Sequence, residues 1–542
     1  MNSENCAISD CFKDLAIAME IQGEQWRSSS YLKAAEELLN LNENISRIYH
    51  SGRIRDIKGV GPSIAAKIEE YFVTGTIQNL EDVQDILPED MHFFRRLPLT
   101  LRETADVCIF ADVHSAADLL LALEEGVIGS IPGLGEDVEQ KIKTFIAWLG
   151  EQATAIPYCK VKQSAENVLN YILKDPWTLK AEEAGPCRRK NETAAAFTIL
   201  VASSADRAVP LFAMCPELQE LTHANSTAAT GKTVSGAAAM LKAMDASLIP
   251  FEQLRMTGPP EHVAFLEQQA AARGLTLTPE SMPGVQSEQD IYEYLGINYI
   301  PPEFREGGEA SLYLNGDLRV RSTAADGSLV LNELIATAEA LNYQYLCVVD
   351  RLAGRMTPEL MRERNLLLEK ADSQVDLLKG IEVDISVTGT LSAPDDLLQS
   401  ADLVIAAVNS QLASTSMTER LSKALNDARV DVWGHPLNRL IGIRQTPDLD
   451  FAKLFSLAAE KGIALEINSA PYRSDLDYST LCKVYEPEAV YSIGTDAACP
   501  THLSRIELGR IAAEKAKLSE RRVLNTLTSS EIRDKAWRDR ND

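Results

Sequence analysis

The chain has 542 residues, 45% of them hydrophobic, and a formal net charge of −26. At roughly 100–200 residues per domain this length suits three to five folded domains. No stretch is apolar enough to span a membrane, and the acidic balance argues against broad attraction to nucleic acid, so any DNA contact has to be local.

Taken in chain order, the sequence to about residue 150 predicts short amphipathic helices joined by Gly and Pro turns. In one of them, about 30–41, Tyr31, Ala34, Ala35, Leu38 and Leu39 share a face. Gly59-Val60-Gly61 predicts a helix, a tight turn and a second helix whose free N–H groups suit a phosphate. Gly133-Leu134-Gly135 repeats it about seventy residues on, and two such turns point to helix-hairpin-helix contacts with DNA. From about 157 to 254 helices alternate with apolar runs such as 197–202, as in an α+β domain. A small unit of about fifty residues follows, and Pro301-Pro302 and Gly307-Gly308 predict a linker. Beyond about 312, expected strands at 345–350, 377–385, 403–408, 430–433, 463–467 and 490–493 are separated by helices. That alternation predicts parallel βαβ units in a barrel-like layout, with loops at the strand C-termini. Nine scattered cysteines without a Cys-x-x-Cys pair, and an N-terminus without a signal pattern, suit a reduced cytoplasmic setting.

Asp317-Leu318-Arg319-Val320-Arg321, followed by Ala325-Asp326-Gly327, has the frame of a metal-dependent phosphoesterase, which reads Asp-Leu-His-x-His and then Ser-Asp-Gly. Here both histidines are arginines, which stay protonated and offer a metal no lone pair. From Gly316 onward only His435 and His502 remain.

The segments SSSYLKAAEELL, IKGVGPSIAAKIEEYFVTG, AGPCRRKNETAAAFTILVA, DLRVRSTAADG, GHPLNRLIG and SIGTDAA carry a resemblance that extends over nearly the whole chain. The N-terminal part resembles the lyase and fingers regions of family X DNA polymerases, and the C-terminal part their bacterial and archaeal PHP extension. The resemblance implies five units. These are a helix-hairpin-helix lyase-like domain at about 1–85, a fingers-like one at about 86–155 and an α+β nucleotidyltransferase palm at about 156–255. A thumb and linker follow at about 256–311, then an α/β PHP barrel at about 312–542.

The family's polymerase palm carries Gly-Ser-x-Arg-Arg and Asp-x-Asp, whose carboxylates, with a third on a neighbouring strand, hold two magnesium ions. Gly185-Pro186-Cys187-Arg188-Arg189 keeps the arginines, but the aspartate positions fall on Ala196 and Thr198, and Asp245 is assigned as the lone remaining carboxylate. The thumb's Tyr-Phe-Thr-Gly-Ser appears as Arg255-Met256-Thr257-Gly258-Pro259. The fingers hairpin, Leu-Pro-Gly-x-Gly in the family, reads Leu97-Pro98-Leu99-Thr100-Leu101, and leucine bars close approach to phosphate. In the PHP centre Asp326, Glu382, His435 and Asp496 match ligands, while Arg319, Arg321, Arg351, Asn409 and Ala498 replace them. The arginines are expected to pair with Asp326, Glu382 and Asp496 in place of a metal. In the lyase pocket Lys67 matches the Schiff-base lysine and Arg27 and Tyr31 flank the 5′-phosphate position, whereas Ser63 and Asn79 replace lysines.

The expected protein is therefore a non-polymerising DNA-binding or scaffold protein of repair. DNA contacts fall to Gly59, Gly61, Gly133, Gly135, Arg27, Tyr31, Arg188 and Arg189. The partners are gapped, nicked or abasic DNA and repair proteins, not membranes. No cofactor is expected unless activity persists with Mg2+, Mn2+ or Zn2+. The rival reading is an enzyme, either an abasic-site lyase through Lys67 or a one-metal phosphoesterase at the barrel mouth.

Overall fold

The computed structural model describes residues 3–538 except 42, 84–85, 153–155, 324–329, 354–355, 410–416 and 485. Two helical cores open the chain. The first gathers apolar residues from Ile8 to Leu87, with Tyr31 buried against Phe12. The second runs from Phe93 to Ile142 and also takes in Leu440, which belongs to the barrel.

Helix boundaries follow local chemistry. Helix Pro62–Thr74 opens with proline at its first position, where no N–H is needed, and ends on Gly75 at φ +81°. Helix Leu101–Phe110 opens with a capping box: Thr100 accepts from the Glu103 amide, and the Glu103 carboxylate accepts from the Thr100 N–H at 2.6 Å.

A five-stranded mixed sheet follows, ordered Lys180–Ala184, Ala196–Ala202, Ala238–Ala243, Ala228–Thr233 and Leu218–Ala224. Its central pair is parallel and aligns Ala196 with Ala238 and Thr198 with Met240. A compact helical core between Phe251 and Leu295 comes next.

Seven parallel strands complete the fold, each beside its sequence neighbour. They are Gly316–Val320, Tyr345–Arg351, Asp376–Asp384, Leu403–Ala407, Val432–Trp433, Ala464–Asn468 and Tyr491–Gly494. Runs such as Leu-Val-Ile-Ala-Ala at 403–407 are buried throughout, because helices cover the outer face and side chains fill the inside. A parallel bridge from Val320 to Ala497 joins the first strand to the chain leaving the last, so the barrel is nearly closed. The strand C-termini face the second helical core, whose helix Ala116–Glu124 lies over the barrel mouth.

Candidate functional site at the barrel mouth

Arg319 is the last residue but one of the first barrel strand and is 2% exposed. Its guanidinium donates to both Glu466 oxygens at 2.9 and 3.0 Å and to Glu382, and its Nε lies 3.4 Å from Asp496. Forked donors match carboxylate geometry, so one arginine ties together acids from three parts of the barrel. Arg321, two residues on, pairs with Asp496 at 2.9 Å. Asn409 donates to the other Glu382 oxygen at 2.7 Å. The guanidinium groups hold Asp496 well below the usual carboxylate range, and Arg319 does the same for Glu382 against the opposing effect of burial.

His435 is 1% exposed and neither ring nitrogen has a hydrogen-bond partner; Nε2 stands 3.7 Å from Glu382. Burial, reinforced by Arg473, pushes its pKa down to about 3, so the ring is neutral at working pH. His435 and Asp496 both hold left-handed backbone, at φ +32° and +53°. Such strain persists only where surrounding structure enforces it.

Among the described residues no group of three His, Cys, Asp or Glu has a metal-holding arrangement. The residues present do not fit a multinuclear metal centre. Arg319 already occupies the oxygens of Glu382 and Glu466, and a cation there would face a fixed guanidinium. Ala498 is buried and offers no ligand atom, and Asp326 lies outside the described residues.

Two expectations need correction. Among the described residues Arg351 does not pair with the barrel's own rim acids. It bonds Glu89 of the second helical unit and lies 4.0 Å from Asp118 of the same unit. It ends the second strand pointing out of the mouth, where that unit sits, so the nearest carboxylates are the unit's. The same unit supplies Asp90, 2.6 Å from Arg444, and Glu124, 2.6 Å from Arg505. The second correction is in the palm. The residue beside Thr198 is Met240, and exposed Asp245 lies past the end of that strand, so it does not complete a carboxylate set with positions 196 and 198.

Arg188 and Arg189 are taken up within the protein. Arg188 pairs with buried Glu288 at 2.7 Å and Arg189 with Glu306 at 2.9 Å, and both bond Thr257. They hold the thumb-like unit and the linker to the palm.

The two glycine turns differ. Gly59 has φ +79°, and Gly133 and Gly135 have φ +98° and +72°, while Gly61 has an ordinary φ of −77°. A Cβ on Gly61, Gly133 or Gly135 would meet nothing within 4 Å, so these turns are open to an approaching backbone. The helix after the first turn has no acid in its first turn, but the helix after the second begins with Glu136 and Asp137. Carboxylates there compete with a phosphate for the positive helix end. In the lyase-like pocket Lys67 donates to Asn79, and Arg27 pairs with Glu24 at 2.7 Å.

Sequence reasoning overlooked Glu466, Arg473 and the acids of the second helical unit. Glu466 was visible as a lone acid in the strand run Ala464–Asn468; its pairing with Arg319 was not.

Residues 3–77 match a family described as a helix-hairpin-helix domain, and residues 253–306 match the DNA polymerase beta thumb. The chain is 28% identical to the Bacillus subtilis DNA polymerase/3'-5' exonuclease PolX, over 97% of this chain and 98% of that protein. It is 29% identical to a probable phosphatase of Aliivibrio fischeri over 29% of this chain and 65% of the relative. With rat DNA polymerase lambda it shares 30% identity over 16% of this chain and 14% of that protein.

Proposed function

We infer that this chain, which belongs to the bacterial and archaeal PolX family of family X DNA polymerases with a C-terminal PHP domain, binds DNA in repair without polymerising it or hydrolysing its phosphodiesters. The observation that carries this reading is the guanidinium of Arg319 on Glu382 and Glu466, with Arg321 on Asp496. Fixed positive charge stands where mobile divalent ions would activate water. In the palm, Ala196, Thr198 and Met240 form a patch with no carboxylate where phosphoryl transfer needs three. DNA contact falls chiefly to the first turn, Gly59 to Gly61, backed by an uncapped helix start, because the fingers turn is capped by Glu103 and the second is shadowed by Glu136 and Asp137.

The test is extension of a gapped primer and digestion of a 3′ end, each with magnesium and manganese, beside elemental analysis of the purified protein. The expected result is neither activity and well under one transition metal per chain. Templated incorporation, or nuclease activity lost in His435→Ala, would overturn it. Lys67 gives the lyase reading its one support, because its amine is half-buried rather than solvated. Its bond to Asn79 weighs against attack on an aldehyde, and borohydride trapping on abasic DNA decides the point.

A further inference from the structure

Most charged groups at the mouth are matched, and Arg473 is not. Its side chain is 7% exposed, makes no ion pair or hydrogen bond with any described residue, and has a fully enclosed Nη1 without a partner. Leaving a guanidinium buried and unpaired costs several kcal/mol in general; burial lowers its pKa, and Arg444 and Arg319 nearby add to that against the opposite pull of Asp496 and Glu382.

Arg473 lines a cavity of about 40 Å³ between helix Ala116–Glu124 and the barrel. One enclosed water takes roughly 10–15 Å³ on this measure, so the space suits a few water-sized atoms. Arg321 and Arg505 also line it, against Asp496 and Glu124. Those two acids are already engaged, Asp496 by Arg321 at 2.9 Å and Glu124 by Arg505 at 2.6 Å. Three guanidinium groups against two occupied carboxylates leave one positive charge among the lining residues, and the enclosed donor without a partner is Nη1 of Arg473. Ala117, Leu120 and Pro471 wall the rest.

We propose that this cavity is a binding site for a tetrahedral oxyanion of the phosphate class, held by Arg473 and gated by the helical unit docked above it. The anion is either free phosphate or the terminal phosphate of a nucleic-acid strand. The site does not depend on whether the chain polymerises DNA.

The test is thermal denaturation of the full chain in sodium phosphate against sodium chloride of equal ionic strength, with phosphate binding followed by 31P NMR. Wild-type protein should melt about 2 °C higher in millimolar phosphate. Arg473→Met should lose that increment and melt no lower than wild type in chloride, because an uncompensated cation has gone. Ala117→Leu keeps the arginine but fills the cavity, and should also abolish the phosphate signal. It serves as the second variant should Arg473→Met misfold. Displacement of bound phosphate by a 5′-phosphorylated oligonucleotide, and not by its 5′-hydroxyl twin, assigns the anion to a strand end. Its retention assigns it to the free ion. No phosphate-specific shift in wild type, or an undiminished one in Ala117→Leu, refutes the site.

Discussion

Arg319 concentrates the chemistry of the barrel in one side chain. Replacing it by methionine keeps much of the volume but leaves Glu382 and Glu466 buried without their counter-charge. The expected cost is about 3–5 kcal/mol, read as a lower urea midpoint of the barrel. The same residues set a pH dependence. His435 titrates near pH 3 when folded against an ordinary 6.5, so its contribution is present above 6.5 and lost as pH falls toward 3. Asp496 and Glu382 are depressed as well, so theirs is lost as pH falls below the ordinary carboxylate range. All three act in one direction. Buried Glu89, Asp317 and Asp475, raised by desolvation to about 8, 7 and 7, oppose them between pH 8 and 4.5, so the check is differential: the stability of wild type relative to His435→Gln should fall as pH drops from 6.5 to 4.5, by up to about 1.4 kcal/mol per pH unit; a relative rise over that range would contradict this. At this scale the sequence was informative about identity and poor about partners. Arginine at 319 and 321 could be read directly, yet Glu466 is 147 residues from Arg319, and such a separation leaves no local pattern.

Periodic elements were the most legible part of the chain. The barrel strands expected at 345–350 and 403–408 form at Tyr345–Arg351 and Leu403–Ala407, because long apolar runs between helices have few other solutions. The helix expected at 30–41 forms earlier, at Gln25–Leu39. The glycine turns were legible as turns but not as unequal ones, although Glu136 and Asp137 stood in plain sight after Gly135. Two predictions separate conformation from contact. Gly61→Ala, at φ −77° with open space around its Cβ, should leave stability within about 0.5 kcal/mol and weaken gapped-duplex binding several-fold. Replacing both Glu136 and Asp137 by their amides should tighten that binding and steepen its dependence on salt by about one in log–log slope, as measured by fluorescence anisotropy. Tightening without a salt effect would show that phosphate is not what these acids repel.

Across the whole molecule, ion pairs fasten the helical half to the barrel: Arg351 to Glu89, Arg444 to Asp90 and Arg505 to Glu124. Asp90 is fully buried and also accepts from the Ala116 amide, so Arg444→Met strands a carboxylate inside the joint. The joint should open: the radius of gyration in solution scattering should increase, and protease should cut near residue 90 faster than in wild type, while the isolated barrel melt is unchanged. None of this docking was legible in the sequence, since it joins acids in one unit to arginines more than two hundred residues away. It also bears on how such a protein changes over generations. Substituting histidine at 351 would deprive Glu89 of its partner. Substituting it at 319 would leave Glu466 and Glu382 buried and without their counter-charge. Each single substitution gives a less stable protein, so the arginines act as a ratchet. Relatives descended from this chain are expected to keep them together or lose the helical contact altogether.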